Sequence, residues 1–328
     1  MSKTYLFFDI ECANCFNNEG KICSFGYALC DSDFKIIKSE DIIINPNSEF
    51  DPYLFRKDSK CRLSYPREEF AKHPDFNEFY ETIKNLLTAK DCTVFGFGVD
   101  NDVVFIVSEC IRYRYDIIDF ACYDIHKLAV SMCGTSGSLD TWVDYFGIDK
   151  SALQMHRSSD DALATLLVAQ KLCEKENITI EQLIEKSSGK ITSSFAFESY
   201  KKSLYRNLYK ARIAHCMNSK PEASDLALSG KTFCLVLSKN TDIAVRYELV
   251  KDITDNGARL TDSCTTDCII LCVNPREKPS WIKKNNNKIM YLDDVYLLIG
   301  KKVPKIYSQK TLPADFDYKK ARKELLRY

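Results

Sequence analysis

An apolar run near the start of the chain, Tyr5-Leu6-Phe7-Phe8, ends in two carboxylates one residue apart, Asp9 and Glu11. Side chains alternate along a strand, so Asp9 and Glu11 point one way while Phe8 and Ile10 turn to the other face. Two adjacent acids repel, and something positive must hold them: a metal ion, or a basic side chain. Two later places offer partners. Asp102 follows the glycine-containing stretch Thr93-Val94-Phe95-Gly96-Phe97-Gly98, and His156-Arg157-Ser158-Ser159-Asp160-Asp161-Ala162 joins a histidine to an acid five residues on. Carboxylate oxygens suit Mg²⁺ or Mn²⁺. An imidazole with an ordinary pKa near 6.5 is fitted to take a proton from water near neutral pH.

These residues need positioning. Lys21–Cys30 and Phe34–Ile44 are rich in β-branched and aromatic residues, with Asp31-Ser32-Asp33 as the turn between them, so with the first run they form a three-strand meander. Ser48 to Pro74 has no clear period and is expected to be loop-rich. From Asp75, the residues Phe76, Phe79, Tyr80, Ile83, Leu86 and Leu87 recur at helical spacing. A short strand then covers Thr93–Gly98, and Val103–Ile111 is helical, so Asp102 opens a helix. There it serves either as a cap or, with other acids nearby, as a ligand. Tyr115–Phe120 reads as a strand, Ile125–Met132 and Leu139–Phe146 as helices, the second stopped by Gly147. Ala162–Leu172 is strongly helical with Ser158 or Ser159 as N-cap. Five helical residues turn the side-chain direction by roughly 500°, so His156 and Asp161 share no face of one helix. His156 must sit in the loop before the cap and fold back over Asp161, while Asp160 is read as the solvent-facing neighbour. Alternating strands and helices make this an α/β layer fold.

The ordered set of D-x-E on the first strand, an acid opening a helix after a glycine-containing strand, and H-x-x-x-x-D opening a later helix resembles the DEDDh, or DnaQ-like, 3′–5′ exonucleases, over residues 4 to 173. The resemblance implies an RNase H-like fold, a mixed sheet flanked by helices. It carries Asp9, Glu11, Asp102 and Asp161 over as metal ligands and His156 as general base. Two divalent ions, Mg²⁺ or Mn²⁺, are the implied cofactors, and two ions roughly 3.5–4 Å apart suit phosphodiester hydrolysis by stabilising entering and leaving oxygens. Two departures from the family's pattern stand out: Cys12 follows Glu11 where Thr is common, and Phe97-Gly98-Val99-Asp100-Asn101-Asp102 replaces the usual His-Asn-x-x-Phe-Asp, leaving Asp100 as a rival to Asp102.

Beyond about residue 175 the pattern changes. Glu176–Ile184 reads as a closing helix, and Ser187-Ser188-Gly189-Lys190 with Thr192-Ser193-Ser194 as a flexible break within a connector spanning 176–228. Tyr200, Lys201, Lys202, Tyr205, Arg206, Tyr209, Lys210 and Arg212 interleave aromatic and basic residues. The preferred reading is a helix packing its tyrosines while the cations stay solvated; the other is a surface that tracks phosphates. Residues 229–300 give strand (Gly230–Leu237), helix (Asp242–Ile253), strand (Ala258–Thr261) and strand (Thr266–Val273), a small parallel-sheet α/β domain that resembles a BRCT domain. Three closing pieces, Ser280–Lys288, Lys288–Leu292 and Asp293–Ile299, fit its last helices. That resemblance implies a protein or DNA-end partner; Ser238-Lys239 and Lys283 or Lys284 stand where phosphate-binding members place theirs, without the usual glycine. Residues 301–328 form a basic tail with a helix over Tyr318–Leu326.

Composition sets the outer limits. The 328 residues, 45% hydrophobic and 28% charged, describe an ordinary globular chain of about two domains. No apolar run approaches the roughly 20 residues of a membrane span, and Met1-Ser2-Lys3-Thr4 leads straight into the first strand, so the chain is expected in the cytosol. Basic and acidic residues balance at 46 each, so bulk charge announces no nucleic-acid partner and any such binding must be local. Fifteen cysteines, odd in number and scattered, read as reduced thiols, the Cys12-Ala13-Asn14-Cys15 pair and Cys264, Cys268 and Cys272 included. The expected activity is 3′–5′ hydrolysis of DNA ends in repair or proofreading. The alternatives are an exoribonuclease using the same site and a vestigial scaffold recruiting partners through the second domain.

Overall fold

The computed structural model describes residues 3–16, 19–151, 153–186, 190–219, 225–264, 268–277, 288–308 and 311–328. Its packing divides the chain into two units, Met1–Tyr200 and Lys201–Tyr328. Among the described residues no helix is long and apolar enough to cross a membrane.

The first unit is built on β1 (Thr4–Cys12), in which Tyr5, Leu6, Phe7 and Phe8 are all fully buried. A side chain of this kind contributes about 1.5–3 kcal/mol on full burial, which commits the strand to the middle of a sheet. β1 pairs antiparallel with β2 (Ile22–Cys30) and parallel with β4 (Cys92–Gly96). With β3 (Ile36–Ile43), β5 (Ala121–Asp124) and β6 (Lys190–Thr192) the sheet has the order β3-β2-β1-β4-β5-β6, antiparallel at both edges and parallel across β1-β4-β5. The three-strand meander is present as expected. Tyr115–Phe120 is not a strand: the ladder begins only at Ala121, where backbone groups reach β4 and β6. The supposed break at Thr192-Ser193-Ser194 is instead the end of β6 and the start of a helix, and residues 187–189 lie outside the described residues.

Helices cover both faces. Short α1 (Arg67–Phe70) and α2 (Phe76–Leu87) follow a 3₁₀ turn at Pro52–Phe55; α3 (Asp100–Arg112), α4 (Ile125–Cys133), α5 (Leu139–Tyr145), α6 (Ser158–Glu176) and α7 (Ile180–Glu185) come next. Tyr5 and Phe7 of β1 join a core with Phe95, Trp142, Ala164, Val168 and Leu172, so the face that also carries Asp9 and Glu11 is the one packed by α4, α5 and α6. Phe8 points the other way and stacks on Phe25 at 5.7 Å. The piece expected as one helix over Glu176–Ile184 is split at Asn177, which is left-handed (φ 51°) and ends α6; Thr179 then starts α7 with a capping box. Ser48–Pro74 is more ordered than its sequence suggests. Phe50, Leu63 and Phe70 bury themselves with Ala13 and Cys23 in a small separate core.

α8 (Ser193–Asn218) begins in the first unit and continues in the second. The second unit has an all-parallel sheet of order β10-β9-β7-β8, made by β7 (Thr232–Val236), β8 (Arg259–Thr261), β9 (Ile269–Cys272) and β10 (Ile289–Tyr291). α9 (Ile243–Asp255), capped by Asp242, and α10 (Leu292–Leu298) pack on it through Leu249, Ile253, Leu292 and Val295; α11 (Tyr318–Leu325) closes the chain. The small parallel α/β domain is therefore present. Lys288–Leu292, expected as helix, is mostly the edge strand β10, because Ile289–Tyr291 pair with Ile270–Cys272. Ser280–Lys288, and with it Lys283 and Lys284, falls almost wholly in residues 278–287, outside the described residues.

Candidate active site

Asp9 and Glu11 lie on the α6 side of the sheet at the C-terminal end of β1, where the apolar core gives way to half-buried acids. The start of α6 comes unusually close to β2. A Cβ at Gly26 would sit 2.0 Å from the Ser158 carbonyl carbon and 2.1 Å from the Ser159 nitrogen, so only glycine permits this approach. The contact is fixed by Ser158, whose Oγ lies 2.6 Å from Ser24 Oγ and donates to Asp41 Oδ1 at 2.7 Å. Ser158 and Ser159 are consequently buried in the first turn of α6 and are not its cap; Arg157 occupies that position, with no side-chain cap bond.

His156 adopts left-handed backbone (φ 65°), which costs a non-glycine residue about 1–2 kcal/mol. Hydrogen bonds on both sides of the residue hold it there. Its N–H donates to Asp161 Oδ2 at 3.0 Å, and its carbonyl accepts from Ser64 Oγ at 2.8 Å. Arg157 Nε donates to Tyr65 Oη at 2.9 Å. The loop thus folds back over the first turn of α6 as the spacing required. His156 Nδ1 is 4.0 Å from Glu11 Oε1, and one ligand atom each from Glu11, His156 and Asp161 lie within 4.8 Å of one another.

Asp9 and Asp102 are not in that triplet, but their charges reach it. Burial first, then the carboxylates of Asp102, Asp161 and Glu11, push the Asp9 pKa well above the ordinary range. Glu11 is raised in the same way, by burial and then by Asp161 and Asp102. Burial and Asp124 take Asp102 to about 8; burial takes Asp161 to about 7 against the lowering effect of the His156 N–H. Asp100 is exposed and paired with Lys127 Nζ at 2.7 Å, and it acts on the cluster only through its charge on Asp102. Asp102 is thus the acid of α3 electrically joined to the β1 pair. Asp160, half-buried, accepts from the Gln154 N–H at 3.0 Å.

The donor set suits a divalent cation. The carboxylates of Asp102 and Asp161 raise the pKa values of Asp9 and Glu11, and Asp161 Oδ1 is buried without a hydrogen-bond partner among the described residues. Oxygen ligands with one nearby imidazole match Mg²⁺ or Mn²⁺ better than a thiolate-seeking metal. All fifteen cysteines are free thiols; Cys12 hydrogen-bonds Cys15, whose pKa falls to about 7.

Two carboxylates around the site gave no sequence signal. Asp124, at the end of β5 and 1% exposed, caps α4 and accepts from the Gly98 N–H at 2.9 Å; its Oδ2 has no hydrogen bond, only Lys127 Nζ at 3.5 Å. Asp41 on β3 accepts from Ser158 and Tyr65 behind the start of α6. Asp124 was readable only as a cap before Ile125–Met132, and Asp41 only as a polar residue inside a strand.

Residues 6–169, half of the chain, match the exonuclease family RNase_T. No curated protein matches the chain in sequence. Among solved structures, a 3′-exonuclease described as recognising the 3′ end of a histone mRNA stem-loop aligns at 12% identity over 54% of this chain and 84% of that one, with a TM-score of 0.46. The nuclease domain of 3'hExo, a DEDDh family member bound to rAMP, aligns at 14% over 53% and 93%, also at 0.46. E. coli exonuclease I in complex with a dA16 oligonucleotide aligns at 18% over 56% of this chain and only 42% of its own length, again at 0.46. A mixed sheet flanked by helices, an acidic cluster at the end of its central strand and the family match over residues 6–169 lead to one assignment: the chain belongs to the exonuclease family.

Proposed function

We propose that the protein is a divalent-metal-dependent 3′–5′ exonuclease acting on DNA 3′ ends. The observation that carries this reading is the convergence of Glu11, His156 and Asp161 within 4.8 Å, beside Asp9 and Asp102. Asp9, Glu11, Asp102 and Asp161 would hold two Mg²⁺ or Mn²⁺ ions. Bound there, such ions polarise the phosphoryl oxygens and lower the pKa of water.

The chain's own groups account for the remainder. Carboxylates with raised pKa values retain protons until a cation arrives, so loading the site releases them. His156 stands at the edge of the acidic cluster, its side chain 41% exposed, with Nδ1 turned toward Glu11. In hydrolysis the water oxygen bonds to phosphorus, its proton passes to the imidazole, and the P–O3′ bond breaks to free a nucleoside 5′-monophosphate, while the departing O3′ takes a proton from solvent and becomes the new 3′-hydroxyl of the shortened strand. The left-handed backbone at His156 pre-sets the ring over the first turn of α6, so positioning precedes substrate binding. We assign the second unit to binding, its parallel sheet being the part that resembles a BRCT domain, and place the whole in repair or proofreading.

The test is digestion of matched single-stranded DNA and RNA oligonucleotides labelled at the 5′ end, with Mg²⁺ or Mn²⁺. Stepwise shortening of the labelled DNA supports the proposal. Shortening of RNA alone makes the protein an exoribonuclease, and release of the 5′ label as a mononucleotide in the first turnovers contradicts the 3′–5′ direction.

A further inference from the structure

The second unit contains a cavity of about 570 Å³ walled by α8, the β7–α9 connection and the side chains of Ser308, Thr311 and Leu312. Five cations line it: Lys202, Arg206 and Lys210 from α8, with Lys239 and Arg246. The first three are spaced four residues apart, so they form a row on one helix face, each step advancing about 6 Å at 1.5 Å per residue. None of the five makes an ion pair or side-chain hydrogen bond with a described residue. Other cations of this unit do: Arg212 with Glu324 at 2.7 Å, Lys251 with Asp255, and Lys301 with Asp252.

The one carboxylate in the wall is already committed. Asp242 is 7% exposed; its Oδ1 accepts from the Ala244 N–H at 2.8 Å and from Tyr205 Oη at 3.2 Å. Tyr205 is itself buried, so the cavity offers no open aromatic face for stacking a base. Five cations against this single buried carboxylate leave the hollow with an excess of positive charge, a cost that an anionic ligand removes.

We propose that this wall binds the phosphate backbone of a single-stranded nucleic acid, independently of base sequence. The inference rests on the reading of the chain as a nuclease. A single phosphate, carrying about −1.5 to −2, needs fewer cations than the five here; a row over two helical turns fits a line of charge. The sequence reading preferred solvated cations beside packed tyrosines. Both halves of that hold, for Tyr200 and Tyr205 are buried and Lys202, Arg206 and Lys210 are exposed; these three exposed cations also line one cavity.

Binding of a fluorescein-labelled dT30 strand to the full chain in EDTA, read by anisotropy, tests this without hydrolysis. Expected is a dependence of log Kd on log salt with a slope of up to about 3.5, at about 0.7 per phosphate contact. Lys202→Glu/Arg206→Glu should weaken binding at least about tenfold and lower the slope by about 1.4. Lys239→Glu alone should act in the same direction, which guards against misfolding of the double variant. Lys319→Glu/Lys323→Glu on α11, outside the wall, sets the effect of net charge. Equal loss in this control, unchanged binding in the α8 variant, or binding of a phosphoserine peptide but not of dT30 would overturn the proposal. Because no hydrolysis is measured, cleavage without this binding sinks only the present inference, and binding without cleavage sinks only the nuclease reading.

Discussion

Ser64 Oγ donates to the carbonyl of His156 at 2.8 Å across 92 residues of sequence. The bond ties an excursion without sequence period to the one site residue whose backbone is strained. The Ser64 N–H also points at this carbonyl, at 3.3 Å. Ser64→Ala removes the shorter bond, worth about 0.5–1.5 kcal/mol, and loosens the left-handed turn. The expected result is a fall of about 2- to 10-fold in kcat on a single-stranded oligonucleotide with KM nearly unchanged, read by steady-state kinetics.

Gly26→Ala probes the approach of α6 to β2. With a Cβ 2.0 Å from the Ser158 carbonyl carbon, the helix start must move away, which costs about 1–3 kcal/mol and separates Asp161 from Glu11. Thermal unfolding should shift down by several degrees and activity should fall with it. Gly134→Ala, at a left-handed helix end with open space around it, should lose stability through backbone strain alone and keep its activity.

Asp100 and Asp102 separate by charge environment. Asp102→Ala should reduce nuclease activity at least about a hundredfold, while Asp100→Ala, which breaks an exposed pair with Lys127 and removes one repulsion on Asp102, should leave activity within about twofold and stability within about 1 kcal/mol.

The raised carboxylates give the metal-free protein a characteristic pH response. An acid with a pKa of about 7 or 8 folded and near 4 unfolded keeps its proton longer in the native state. Such a group adds nothing below about pH 4, costs stability progressively as pH rises through the folded pKa, and costs a constant amount above it. In EDTA the melting temperature should therefore fall between about pH 5 and 8. Mn²⁺ should remove most of that fall by replacing the protons, and Asp161→Asn should flatten the EDTA curve and weaken the Mn²⁺ response. A flat EDTA profile for the wild type would contradict the electrostatic picture of the site.

Where side-chain period was strong, the sequence was readable. β1 shows its two faces in Phe8 and Ile10 against Asp9 and Glu11, and the five-residue step from His156 to Asp161 required a loop followed by a helix. The start of α6 was misplaced by one or two residues because Ser158 or Ser159 looked like the cap, when Asp41 and Ser24, distant in sequence, claim the Ser158 hydroxyl. Ser48–Pro74 hid its order because its core of Phe50, Leu63 and Phe70 has no helical or strand spacing. Asp41 acts through Ser158 and Tyr65, and Asp124, beyond its local cap of α4, through Gly98, contacts that no local pattern encodes.

The most direct test removes the paired acids of β1. Purified Asp9→Ala/Glu11→Ala protein, checked by circular dichroism for retention of fold, is compared with wild type on a 5′-labelled single strand in Mg²⁺, Mn²⁺ and EDTA. Expected is stepwise 3′ shortening by the wild type with either metal, none in EDTA, and none by the folded double variant under any condition. Robust metal-dependent shortening by the double variant would contradict the assignment of this acidic cluster as the catalytic centre.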